Sequence, residues 1–192
     1  MELLNKIRLG IGKALLKKKL SRIERKVYYS NINVVKSIGI VWDASKPEEF
    51  PLLSRFCQKM LERNIIVKIL GYFPGNELPD QYTAIRYLTC IKKSELNLFY
   101  HPVSPEVSTF IENRSEILID INFKNLFPLQ YISSLSNSGF KIGLFESETI
   151  DTPFDLMMEM KIPIDIESYL NQIILYLEMI NSGDTKRADK KQ

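Results

Sequence analysis

The sequence predicts an α/β fold: a mostly parallel sheet with helices on both faces, Rossmann-like or flavodoxin-like, carrying a basic N-terminal helical extension. Three observations predict it. The run Ser37-Ile38-Gly39-Ile40-Val41-Trp42-Asp43 has four large apolar side chains and no interior charge, the pattern of a strand buried on both faces. Further mostly apolar runs recur at residues 65–72, 117–121 and 140–145, and stretches of helical period separate them. No fixed-period repeat competes with that reading.

In chain order, residues 2–28 lack proline and are rich in Leu, Ile, Lys and Arg, so one helix or two in succession is expected. Their apolar positions form two opposed stripes. Leu3, Leu4, Ile7, Ile11, Ala14 and Leu15 share one side, and Leu16, Leu20, Ile23 and Val27 share the other. Packing the second stripe on the body would hold Lys18, Lys19, Arg22, Arg25 and Lys26 outward as one strip.

Behind the first strand, Ser45 and Glu48 read as a capping box with Pro47 in the first turn, opening a helix to about residue 63 that Asn64 ends in the left-handed region. A strand over 65–72 and a Pro/Gly/Asn loop over 73–80 follow. Alternation over 84–90 predicts an edge strand, and 98–100 a further short one. Ser104-Pro105 opens a helix to about 113. Strands over 117–121 and 140–145 bracket a helix over 127–138, and 154–160 is the last strand. Asp165 caps a deeply packed helix to Asn181, ended by Gly183. The expected organisation is a basic helical extension over 1–36, one α/β domain over 37–183 and a disordered tail over 184–192.

Charge is the one compositional feature that points to a partner. The chain carries +3 overall, yet residues 1–36 hold ten Lys or Arg against Glu2 and Glu24, while 37–183 sum to −7. Cys57 and Cys90 have no second Cys or His at ligand spacing, so neither a disulfide framework nor zinc is signalled. No membrane-span-length apolar run and no signal-peptide core is present, so a cytoplasmic location is expected, with an organelle presequence as the alternative.

Several segments resemble an uncharacterised bacterial family of small α/β proteins known only as a domain of unknown function. The resemblance rests on Ser37-Ile38-Gly39-Ile40 with Asp43-Ala44, Leu70-Gly71-Tyr72, Glu116 to Asp120, Asp155-Leu156-Met157 and Tyr176 to Asn181. It spans residues 37–181 and implies the fold; it supplies no activity.

The motifs for chemistry are sparse. Neither G-x-G-x-x-G nor G-x-x-x-x-G-K-[ST] occurs, which disfavours dinucleotide binding and P-loop chemistry, and no cofactor or metal is indicated. Asp43, Asp120 and Glu146 fall near strand ends, where a carboxylate cluster would hold Mg²⁺ for phosphoryl transfer. His101 reads as a lone surface histidine, and Trp42 and Tyr28-Tyr29 as packing residues. The leading expectation is therefore a non-enzymatic protein that binds an anionic partner, structured RNA or a ribonucleoprotein. The phosphate contacts would come from Lys18, Lys19, Arg22, Arg25 and Lys26, with Lys6, Arg8, Lys13 and Lys17 adding reach. Attachment to an anionic membrane surface through residues 1–15 is the first alternative, and a metal-dependent phosphoryl-transfer enzyme the second.

Overall fold

The sheet of the computed structural model, which describes residues 2–145 and 152–180, grows outward from β1 (Ser37–Asp43). On one side lie β2 (Ile66–Phe73) and then β3 (Leu88–Lys92). On the other lie β4 (Ile117–Ile121), β5 (Phe140–Leu144) and β6 (Leu156–Met158). The order is β3-β2-β1-β4-β5-β6, and each neighbouring pair is parallel. Ile40 sits opposite both Ile69 and Ile119, so the register stacks β-branched side chains across the centre. The strand order reverses between β1 and β4, and right-handed crossovers therefore leave toward opposite faces on the two sides.

Alternation along the strands divides the core in two. Ile38, Ile40, Trp42, Val67, Ile69, Ile117, Ile119 and Ile121 face the layer formed by α2 (Phe50–Glu62) and α5 (Ile166–Met179). Val41, Leu70, Tyr72 and Leu118 face α1 (Glu2–Leu20), α3 (Pro105–Glu112) and α4 (Phe127–Leu135). Gly39 lies on this second side because a Cβ there would meet Ser115, Leu118 and Phe110 at 3.1–3.2 Å. Trp42 is fully buried against Phe50 and Tyr82, and the Tyr29 ring packs on Phe140, so these aromatics do serve packing.

Several local expectations are corrected. The N-terminal helix stops at Leu20, and residues 23–31 run as an irregular strap whose Tyr28 N–H donates to the Gly139 carbonyl. The Ser45/Glu48 capping box does not form. Ser45 Oγ instead accepts from Lys124, its N–H donates to Asp43, and a 3₁₀ turn over Pro47–Glu49 leads into α2. Residues 98–100 form a turn with Tyr100 at φ 63°, not a strand. Ser104 precedes α3 without making a side-chain cap. Asp165 does cap α5, accepting from the Ser168 N–H at 2.8 Å, and Asn64 does adopt φ 60°. α5 buries one face only: Leu175, Tyr176 and Met179 stay exposed. The expected end of the last helix at Asn181 and Gly183, the tail over 184–192 and Glu146 lie outside the described residues.

Candidate functional site

α1 is held to the body on the side of Leu16 and Leu20, whereas Ile23 and Val27 of the expected second stripe lie beyond the helix and stay exposed; three contacts fix how it lies. Leu16 is buried in the core between α1 and α4. Gly12 presses on the loop before α3, where any Cβ would collide with the Phe99 carbonyl oxygen. The Gly12 carbonyl meets His101 Nε2 at 2.9 Å, and His101 stacks on Tyr131 with ring centroids 4.5 Å apart. His101 is thus a buried clamp, not a surface histidine; burial pushes its pKa down and favours the neutral ring.

Docking by that side leaves the first stripe outside. Leu3, Leu4, Ile7, Ile11 and Leu15 keep between 38% and 73% of their surface exposed, an arc of about 120° at 100° per residue. Along one edge of the arc stand Lys6, Lys13 and Lys17, all exposed, and Lys18 sits within it at the C-terminal end. Lys6 pairs with Glu2 at 3.1 Å, an exposed i,i+4 pair of little energetic weight. Glu2 is the only acid in the helix.

The other predicted cations are dispersed. Arg8 donates to the Leu98 carbonyl and its guanidinium lies 4.9 Å from the Tyr100 ring centre. Lys19 donates to the Tyr131 hydroxyl at 2.6 Å. Arg22 and Lys26 are exposed but lie beyond the end of the helix. Arg25 turns inward: its Nη1 donates to the Ser138 and Gly139 carbonyls and to Asp155 at 2.8 Å, and its Nη2 to Asp155 at 2.5 Å. The pair keeps 16% and 11% of its side-chain surface, so Arg25 is withdrawn from any outside partner. The five-residue strip expected over 18–26 needed a continuous helix, and the helix ends before three of its members.

The two described strand-end acids, Asp43 and Asp120, are each engaged by the protein itself. Asp43 pairs with Lys124 at 3.0 Å, and Asp120 accepts from the Asn122 N–H and from Ser133 Oγ. A shallow crevice of about 350 Å³ beside Asp43 is lined by Lys46, Glu49, Phe123 and Lys124, and Lys46 pairs with Glu49 at 2.8 Å. Among the described residues no three His, Cys, Asp or Glu come together as metal ligands. No helix among them is long and apolar enough to cross a membrane.

One polar residue of the interior was missed: Lys141, the only charge in β5, which is 2% exposed. A lone lysine in an otherwise apolar strand was the available signal. Its Nζ donates to the Ser133 and Ser134 carbonyls at the end of α4, at 2.8 and 2.9 Å.

No curated protein matches the chain. A family model described as a family of unknown function (DUF6913) matches residues 9–180, a span that takes in most of α1 together with the whole sheet. The protein therefore belongs to the DUF6913 family.

Proposed function

We propose that this protein attaches peripherally to an anionic lipid surface through the outward face of α1. The single observation that carries the reading is the exposed stripe of Leu3, Leu4, Ile7, Ile11 and Leu15, bordered by Lys6, Lys13 and Lys17 on a helix with one acid. A helix lying in the membrane interface has this layout: its apolar side chains enter the headgroup boundary, and lysines at the rim reach the phosphates. Each lysine near such a surface contributes about 1 kcal/mol, and each partly buried Leu or Ile a comparable amount. The attachment is therefore reversible, and salt weakens it.

Structured RNA remains the competing class of partner. Cations that track a phosphate backbone would be expected on one surface, and the apolar stripe has no task in that reading. Co-sedimentation of the intact chain separates the two. Vesicles of phosphatidylglycerol and phosphatidylcholine should retain the protein, vesicles of phosphatidylcholine alone should not, and Leu4→Gln/Ile7→Gln/Ile11→Gln should release it. Retention by RNA that the triple substitution leaves unchanged, with no retention by anionic vesicles, overturns the membrane reading in favour of RNA.

A further inference from the structure

Lys141 stands in a strand where every neighbour is apolar, and a fully buried ammonium is costly unless its charge is balanced. Among the described residues no carboxylate forms an ion pair with its Nζ, which donates only to backbone carbonyls. Asp155 from the segment before β6 is spent on Arg25 and on the Lys141 backbone N–H. Asp120 on β4 takes Ser133 Oγ. α4 offers the two carbonyls of Ser133 and Ser134. Two acceptors match the two N–H groups of a neutral amine, whereas an ammonium carries three donors. Burial foremost, with the Arg25 charge adding to it and the Asp155 carboxylate opposing it, brings the lysine down to about 7, so at neutral pH much of it carries a free lone pair.

Lys141, with the Arg25–Asp155 pair, lines a cavity of about 350 Å³ between the end of α1, the strap and the approach to β6. Leu20, Ile23 and Phe154 give it apolar walls, and Ser134, Ser136 and Thr152 give it a polar side. A volume of this size admits a small organic molecule.

We propose that this cavity binds a small aldehyde or ketone and that Lys141 Nζ condenses with its carbonyl carbon to form an imine. The nitrogen lone pair makes the new C–N bond while the carbonyl π pair moves to oxygen. Both amine protons then leave with that oxygen as water, the C–O bond breaks, and the C=N bond closes without any outside oxidant or reductant. On reprotonation the imine regains one N–H for the α4 carbonyls. Lys141 would otherwise serve only to satisfy the last carbonyls of α4, a role that needs no reactivity.

The experiment uses the wild-type chain, so it does not depend on a variant folding. Butyraldehyde with sodium cyanoborohydride is added at pH 7.5, and each lysine is quantified by peptide mass spectrometry while circular dichroism monitors the fold. Lys141 is expected to be alkylated at least tenfold faster than the exposed Lys6, Lys59 and Lys68, with a rate that saturates in aldehyde. Modification of Lys141 no faster than these lysines, or only once the fold is lost, overturns the proposal. A rate that rises linearly without saturation overturns the cavity as a binding site.

Discussion

His101 Nε2 lies 2.9 Å from the Gly12 carbonyl oxygen, joining a loop residue to a helix 89 positions earlier in the chain. The contact makes the N-terminal helix part of the folded unit. His101→Ala removes both the hydrogen bond and the stack on Tyr131, and should cost about 1–3 kcal/mol. Hydrogen exchange should report the loss first in α1. Because burial lowers the pKa of the ring from 6.5, the unfolded chain takes up this proton at higher pH than the native one. Stability from this group is intact above about 6.5, declines as pH falls from there toward the lowered native value, and levels off below it. A urea midpoint series in wild type and the variant checks the sign.

Lys141 sets a second window, at higher pH. Its native value of about 7 against 10.5 means that the unfolded chain alone holds the proton between these limits. Stability should rise with pH across the window by about 1.4 kcal/mol per unit from this group. Lys141→Met should flatten the rise, measured as the difference between the two proteins' urea midpoints from pH 7 to 10.

The two stripes of α1 should respond oppositely to substitution. Leu4→Gln/Ile7→Gln/Ile11→Gln touches exposed side chains only, and should change stability by no more than about 0.5 kcal/mol per site. Leu16→Ala opens the core beneath the helix and should cost about 2–5 kcal/mol. Thermal melts of both proteins test the contrast.

Asp155→Asn should destabilise by about 3 kcal/mol or more, because the Arg25 charge would stay half-enclosed against two carbonyls with no carboxylate. A denaturant titration gives the value. Arg22→Gln, on an exposed side chain in the turn just before the strap, should leave the midpoint unchanged and serves as the comparison.

Burial pushes both the Cys57 and Cys90 thiols up to about 12, so neither is an effective nucleophile at neutral pH. Ellman's reagent at pH 8 should titrate them only after denaturant is added. Rapid labelling of the native chain would contradict this.

What was legible in the sequence was set by local pattern. The run from Ser37 to Asp43, the Pro105 helix start, the Asp165 cap and the left-handed Asn64 each depend on neighbours within a few positions, and the structure has all of them. The six α1 side chains of the first stripe were legible as a group, but their exposure was not, since it depends on which side of the helix the body accepts. Arg25 and His101 were misread for a related reason. Their partners lie 130 and 89 residues away, and no spacing rule signals a pairing at that range. The helix over 2–28 failed at its second half because the strap's hydrogen bonds to Gly139 outweigh helix propensity there. Lys141 was visible as an anomaly, a charge inside β5, and its meaning required the α4 carbonyls to be in place.

The strap also determines where a mechanical load would go. It leaves α1, crosses at Gly139, and enters the α2/α5 layer through Ile32, whose N–H donates to the Leu177 carbonyl, before joining β1. Traction on a tethered α1 would therefore be delivered to the middle of the sheet, along a strand clamped on both sides, where shear must break many parallel bonds at once. Between α1 and the sheet, such a load would first meet the Leu16 packing and the Gly12–His101 contact.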